Sequence, residues 1–200
     1  MFALEASLSA SPASKLGRNL PGDLAMWCFI FAELLVFGIF FLAYAFVRAR
    51  NVDLFNASQM HLDRVSGVIN TVLLITSSYF VVRAVEAIQR DRGQRCAQWL
   101  VAAIVCGGFF VLLKLFEFGA KIEAGITMST NTFYMFYLFL AFFHFMHVIL
   151  GMVILGSVAL KAWRGGYSSA DHAGVETGAV YWHMVDLVWI VLFPLIYVLH

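Results

Sequence analysis

Charged residues are scarce in this chain of 200 residues, since Asp, Glu, Lys and Arg together make up 12% of the sequence whereas hydrophobic residues make up 62%. A soluble globular domain carries about 25% charged residues and is about 45–50% apolar. The shortage of charge therefore excludes a soluble domain and indicates an integral membrane protein. The formal net charge is only +1, which gives no basis for a nucleic-acid partner.

Cysteine is also scarce. Cys28, Cys96 and Cys106 stand singly in or beside apolar runs, and no C-x-x-C spacing occurs. Isolated sulfur atoms in such runs are typical of packing, so the pattern argues against structural disulfides, thiol redox chemistry and zinc binding.

An apolar core of signal-peptide length is a further feature that the N-terminal region lacks. The first twenty residues are rich in serine and alanine and contain no apolar core of signal-peptide length,. We therefore expect residues 1–21 to form a flexible cytoplasmic tail ahead of one membrane domain, residues 22–200. Alternating strands with frequent turns are missing, which argues against a β-barrel, and no internal repeat supports an inverted-repeat transporter.

Five apolar segments of membrane length are present instead. A bilayer core of about 30 Å needs roughly 20 apolar residues in a helix, and the segments that qualify are residues 24–47, 65–88, 96–119, 131–160 and 177–199. The sequence thus predicts an all-α membrane protein, a five-transmembrane-helix bundle with short loops. Four glycines would let helices approach closely, namely Gly107, Gly108, Gly151 and Gly156.

Basic residues in the loops predict the orientation of the bundle. One side carries Lys15, Arg18, Arg90, Arg92, Arg95, Lys161 and Arg164; the other carries fewer, partly offset by Asp53, Asp63 and Glu123. Because cytoplasmic loops hold an excess of Lys and Arg, we expect a cytoplasmic N-terminus and a periplasmic C-terminus in a bacterial inner membrane.

Glu33 is the one ionisable residue of the first span, and such a group costs roughly 3 kcal/mol or more at the centre of a membrane helix. It is either a protonated carboxyl that serves packing or a proton-exchange group that pairs with a membrane histidine. Both interpretations stay open. We predict that Glu33 faces His147 of the fourth span.

His144 and His147 are three residues apart and share a helix face,. With His183 they could ligate haem or a metal ion. A metal site normally adds carboxylates or a second close histidine at ligand spacing. We therefore favour hydrogen bonds across helices for these histidines.

Two more polar pairs have the same three-residue spacing. His183 and Asp186 lie in YWHMVDLVW, and we interpret them as a second interhelical anchor with Glu176 nearby. Lys114 and Glu117 either form an ion pair on their helix, or the lysine extends outward to the membrane surface. A proton relay through such groups would require a continuous chain of them across the bilayer.

Five segments in this order resemble subunit III of the haem–copper cytochrome oxidases. FIFAELLVFGIFF resembles the family's span with a buried glutamate, INTVLLITSS its N-T-x-x-L-L-x-S-S helix, and KLFEFG its segment with an outer carboxylate. FHFMHV resembles the paired histidines, and GVETGAVYWHMVDLVW resembles the specific E-x-x-x-x-Y-W-H-F-V-D-x-V-W signature.

The resemblance implies roles for particular positions. The family's functional positions fall on Glu33, His144, His147, Glu117, Glu176, His183 and Asp186. Two residues depart from the family's pattern. Phe145 stands where glycine is usual, and Lys114 stands where a neutral polar residue is usual.

The resemblance also implies a fold and a function. The full-length family has seven spans, so this chain is similar to a short five-span form. Its brevity and its Ala32-Glu33 pair make it most similar to the NorE-type accessory protein of nitric-oxide reductase, with the five-span quinol-oxidase subunit as the nearest rival.

Such a subunit is expected to dock on a catalytic subunit, to support its assembly, stability or proton uptake, and to contact membrane phospholipid. Haem and copper belong to that partner, so we expect no cofactor, metal site or catalysis in this chain alone. Two other classes stay as alternatives: a membrane haem protein that carries electrons itself, and a proton or solute transporter. A Soret band would favour the first, and flux in liposomes the second.

Overall fold

The computed structural model describes residues 24–199, so the predicted tail at residues 1–21 and the terminal His200 lie outside the described range. The helices, in chain order, are α1 (Leu24–Arg50), α2 (Val52–Gln59), α3 (Arg64–Gln89), α4 (Gly93–Glu123), α5 (Thr132–Trp163), α6 (Ala173–Phe193) and a C-terminal π-helix (Pro194–Val198). Within this range, five helices are long and apolar enough to cross a membrane. The predicted all-α, five-span architecture is confirmed.

The two longest helices, α4 and α5, are longer than their apolar segments. Helices α4 and α5 contain 31 and 32 residues, so each is about 47 Å long at roughly 1.5 Å per residue. A hydrocarbon core of about 30 Å covers only part of that length. The predicted span 96–119 falls inside α4, and the predicted span 131–160 begins at the N-cap residue of α5 and ends inside that helix. Both helices therefore extend past the apolar layer.

Local sequence explains where several of these helices begin and end. Asp63 accepts hydrogen bonds from the backbone N–H groups of Val65 and Ser66 at the start of α3, and the Ser66 hydroxyl bonded to this carboxylate lowers its pKa. Asn131 caps α5 in the same way. Helices α4 and α5 end just before Gly125 and Gly165, which adopt φ values of 71° and 74° that favour glycine,.

Helix α2 corrects the expectation of a plain short loop between the first two spans. Its Phe55 is fully buried and packs edge-on against Tyr44 of α1 and Phe133 of α5, with ring centroids 5.3 and 5.5 Å apart. Gln59 at its end donates a hydrogen bond to the Ile196 carbonyl at 2.8 Å. The segment thus closes one end of the bundle over the C-terminal π-helix.

The fifth span also differs from a single α-helix. The chain changes from α6 to the π-helix at Pro194, and the Leu199 N–H bonds the Pro194 carbonyl five residues back at 2.9 Å. Proline has no N–H to donate, and its ring collides with the carbonyl four residues earlier. Wider turns of this kind accommodate such an interruption.

Helices α3, α4, α5 and α6 form a closed ring in which each packs against two neighbours, and α1 lies outside it against α6 and α5. The ring interior holds Trp182 and Trp189, both almost completely buried. Helix α1 is the least buried of the five spans. Because packing buries so little of α1, its polar contacts with the other helices are important for its position.

Candidate functional site

The structure brings Glu33 of α1 together with His147 of α5, as predicted. Oε2 of Glu33 lies 3.2 Å from Nε2 of His147, and their side chains are 20% and 11% exposed. The other ring nitrogen, Nδ1, is 2.8 Å from the Phe143 carbonyl. Because a carbonyl oxygen only accepts, Nδ1 carries a hydrogen. The contact between Nε2 and Oε2 therefore shares one proton, held either by the ring or by the carboxyl.

His144 does not make the cross-helix hydrogen bond that we predicted for both histidines. It is completely buried, and neither of its ring nitrogens has a partner among the described residues. Its ring stacks on Trp189 with centroids 5.2 Å apart and meets the Phe110 edge at 5.7 Å. His144 lies one turn before His147, on a side of α5 that faces the interior of the helix ring. His147 instead faces α1.

Lys114 and Glu117 form the predicted ion pair, with Nζ and Oε2 2.8 Å apart and side chains only 1% and 7% exposed. The alternative of a lysine that extends outward is wrong, because Lys114 is fully buried. Its Nζ also donates to the Tyr197 hydroxyl at 2.8 Å. The Trp189 ring lies 4.9 Å from the same nitrogen, a distance at which a cation and an aromatic face attract.

Two tyrosines that sequence analysis missed complete this buried cluster. The hydroxyls of Tyr137 and Tyr197 both donate to Oε1 of Glu117, at 2.5 and 2.6 Å. We call Lys114, Glu117, Tyr137 and Tyr197 the buried tetrad. It joins α4, α5 and the C-terminal π-helix, and it leaves every oxygen of Glu117 with a donor. A signal for Tyr137 was available, since it lies seven residues before His144 on the same helix face.

His183 and Asp186 behave differently from the anchor that we predicted. Nδ1 of His183 is 2.7 Å from the hydroxyl oxygen of Ser78 on α3, which is an interhelical contact. Asp186 lies 3.7 Å from the same nitrogen, too far for a hydrogen bond. Neither of its carboxyl oxygens has a hydrogen-bond partner in the described part of the chain. The anchor is therefore the pair His183 and Ser78.

Glu176 lies close to this anchor, as expected. It lines the same surface groove between α3 and α6 as His183. Its carboxylate is paired one turn back along the helix with Nε2 of His172, at 3.2 Å. Glu176 therefore stabilises the first turn of α6, and it makes no ion pair with another helix among the described residues.

Further polar contacts between helices were not predicted. Ser77 donates to the Ala103 carbonyl of α4 at 2.9 Å, and Trp189 donates to the Thr71 hydroxyl of α3 at 3.0 Å. These contacts lie at successive levels of the ring. The INTVLLITSS segment thus supplies three of the side chains that α3 uses to bind its neighbours.

The histidines do not share one partner or one point in space. His147 contacts Glu33, His183 contacts Ser78, and His144 lies between aromatic rings. Across residues 24–199, no group of three or more His, Cys, Asp and Glu side chains is close enough to hold a metal ion. These contacts and the five spans define a multi-pass α-helical membrane protein whose intramembrane polar groups mainly join helices to one another.

Comparison with known proteins gives the family. The sequence model of cytochrome c oxidase subunit III matches residues 22–200, and the chain belongs to that family. It is 32% identical to cytochrome c oxidase subunit 3 of Thermostichus vulcanus over 88% of this chain and 86% of the relative. It is 31% identical to the protein of the same name from a Synechocystis species, over 98% of this chain and 86% of the relative.

A relative with a longer chain is similar as well. The heme-copper oxidase subunit I+III of Aeropyrum pernix is 29% identical over 86% of this chain, which corresponds to 22% of that relative. The similarity therefore covers one part of a chain whose name combines two subunits.

Proposed function

We propose that this chain is an accessory subunit that docks on the catalytic subunit of a haem–copper respiratory complex and supports its assembly, stability or proton uptake. The match to subunit III across all five spans carries the proposal. The relative named subunit I+III supports it, because that name joins a subunit III to a subunit I. We assign haem and copper to the partner, because His147 and His183 contact side chains of neighbouring helices and His144 packs between aromatic rings.

Helix α1 is bound to the rest of the bundle on one side and exposes apolar side chains on the other. Its inner side makes the Glu33 and His147 contact, whereas large apolar side chains of its outer side are more than half exposed, namely Phe31, Leu35, Leu42 and Phe46. Such a surface suits lipid or an apolar partner helix. The polar contact then fixes the position of α1 without placing charge on the outer surface.

Within the family, the finer proposal is a NorE-type role beside a nitric-oxide reductase. The Ala32-Glu33 pair in the first of the described spans supports it. The second candidate is subunit III of a cytochrome c or quinol oxidase, which the names of the relatives favour. For both candidates we propose a bacterial inner membrane.

We also propose that the N-terminal end of the bundle faces the cytoplasm. The turn between α3 and α4 and the loop between α5 and α6 lie together, since Ser169 donates to Asp91 through its backbone N–H at 2.6 Å and its hydroxyl at 2.7 Å. Arg90, Arg92 and Arg164 therefore sit at one end of the bundle, which is consistent with the positive-inside rule.

Purification of the tagged chain from gently solubilised native membranes tests the function. We expect a haem-containing catalytic subunit to co-purify and to be identified by mass spectrometry. Consumption of oxygen or of nitric oxide by the purified complex then separates the two candidates. Recovery of the chain alone, with a Soret band of its own, would contradict the accessory role.

Removal of the Glu33 carboxyl should loosen α1. We expect Glu33→Ala to lower the unfolding free energy by roughly 0.5–2 kcal/mol, the range of interhelical hydrogen bonds in membranes, and to reduce recovery of the complex. Thermal unfolding in detergent, followed by circular dichroism, measures the first effect. Glu123→Ala, which removes an exposed carboxylate at the end of α4, is the control; equal melting temperatures for both variants would refute the prediction.

A further inference from the structure

A recess between α3 and α4 collects four of the arginines that the structure describes at one end of the bundle. It lies beside the tight turn that joins the two helices and is lined by Arg83, Glu86, Ala87, Arg90, Arg92, Arg95 and Trp99. Four guanidinium groups thus meet a single carboxylate in a small space. Neither the interhelical contacts nor the proposed docking role uses these residues.

The positive charge of the recess is not balanced by the residues that the structure describes. Glu86 pairs with Arg83 at 3.0 Å, whereas Arg90, Arg92 and Arg95 are exposed and form no ion pair with any described residue. The nearest other carboxylate in the sequence is Asp91. Ser169 occupies it with two hydrogen bonds, which lower the pKa of Asp91.

The start of α4 adds to the positive potential. Helix α4 begins at Gly93, its first turn contains no acidic residue, and no side chain caps its N-terminus. The N-terminal end of a helix carries a partial positive charge, so Arg92 and Arg95 lie where a cation is least favourable. A bound anion would relieve this repulsion.

Trp99 gives the recess an apolar side. Its half-buried ring stacks on Phe80 of α3, with centroids 5.6 Å apart. The Arg83 guanidinium lies 5.8 Å from the same ring. Tryptophan at a span end typically lies at the boundary between head groups and hydrocarbon. The recess therefore places cations on the polar side of that boundary and aromatic rings on the apolar side.

We propose that this recess binds the phosphodiester head group of an anionic phospholipid, with its acyl chains lying along Phe80 and Trp99. The guanidinium groups of Arg92 and Arg95 each present a planar fork that matches two phosphate oxygens. A free phosphate would satisfy the arginines but would leave the aromatic surface uncovered. Basic recesses between membrane helices are suited to anionic head groups for this reason.

Native mass spectrometry of the full chain in detergent tests the proposal with phosphatidylglycerol and phosphatidylcholine as probes. We expect phosphatidylglycerol to bind more tightly. Arg92→Gln/Arg95→Gln should weaken its binding roughly thirtyfold, which corresponds to about 1 kcal/mol for each charge lost. Arg92→Lys/Arg95→Lys keeps both charges and should retain most of the preference.

Lys161→Gln/Arg164→Gln is the matched control, since it removes two exposed charges at the same end of the bundle but outside the recess. We expect this pair to leave the lipid preference unchanged. Equal affinities for the two lipids, or equal losses in the two Gln pairs, would overturn the proposal. Displacement of the lipid by millimolar inorganic phosphate would identify a phosphate site instead. Loss of a co-purifying subunit without any change in lipid binding would identify an acidic protein surface as the ligand.

Discussion

Lys114→Met is expected to lower the unfolding free energy by about 3–5 kcal/mol, because it leaves a buried carboxylate without its counter-ion. Lys114 Nζ donates to both Glu117 and Tyr197, and the lysine side chain is only 1% exposed. Glu117→Gln should be destabilising for the opposite reason, since it leaves an ammonium group in the apolar interior. Equilibrium unfolding in mixed micelles measures both losses.

The double variant Lys114→Met/Glu117→Gln separates charge from packing. It removes both charges and keeps a carbonyl oxygen that can accept hydrogen bonds from the two tyrosine hydroxyls of the buried tetrad. Replacement of a whole buried ion pair by neutral groups is often tolerated, so we expect the double variant to be more stable than either single one. Lys161→Met, at an exposed lysine, is the control. A double variant no better than the single ones would show that the loss comes from packing alone.

Gly151→Ala should destabilise the bundle by roughly 1–3 kcal/mol, the usual cost of overpacking a close contact. A Cβ at this position would lie 2.8 and 2.9 Å from ring atoms of Trp182 and 3.2 Å from Tyr181. Trp182 is completely buried and cannot swing away. The same argument applies to Gly107, where the added Cβ would lie 2.9 Å from the other side of that ring.

Gly156→Ala is the matched control on the same helix, because nothing lies within 4 Å of its Cβ position. Alanine is a better helix former than glycine by about 1 kcal/mol, so this variant should be neutral or slightly more stable. Thermal unfolding of both alanine variants in the same detergent gives the comparison. Equal melting temperatures would mean that α5 and α6 can separate enough to accept the extra carbon.

Some contacts of the site could be predicted from the sequence, because the residues that make them are close together in the chain. Lys114 and Glu117 are three residues apart, so a helix alone brings them together, and the only question was whether they point inward. The Glu33 and His147 contact was also predicted, since two ionisable groups in apolar spans have few partners to choose from. The roles of these groups in proton uptake or assembly stay predictions.

Other parts of the site depend on distant segments. Tyr197 reaches Glu117 from the π-helix at the C-terminal end, 80 residues further along the chain. Tyrosines near span ends are also common as interfacial residues. His144 and His147 have the same residue type and neighbouring positions, yet one faces α1 and the other the ring interior. Their spacing along the chain gives the angle between the two side chains about the helix axis. It does not tell which neighbouring helix either side chain faces.

The sequence by itself determined the class of this protein: scarce charge and five long apolar runs leave helices across a membrane as the stable arrangement, because a backbone in lipid must satisfy its own hydrogen bonds. Only the tertiary structure decided which of the four glycines touch Trp182, and that His183 hydrogen-bonds Ser78 while Asp186 lies 3.7 Å away. It also decided that three arginines gather without a counter-ion among the described residues. These outcomes depend on the rotation of each helix about its axis, and that rotation is settled by side-chain packing among all the helices at once.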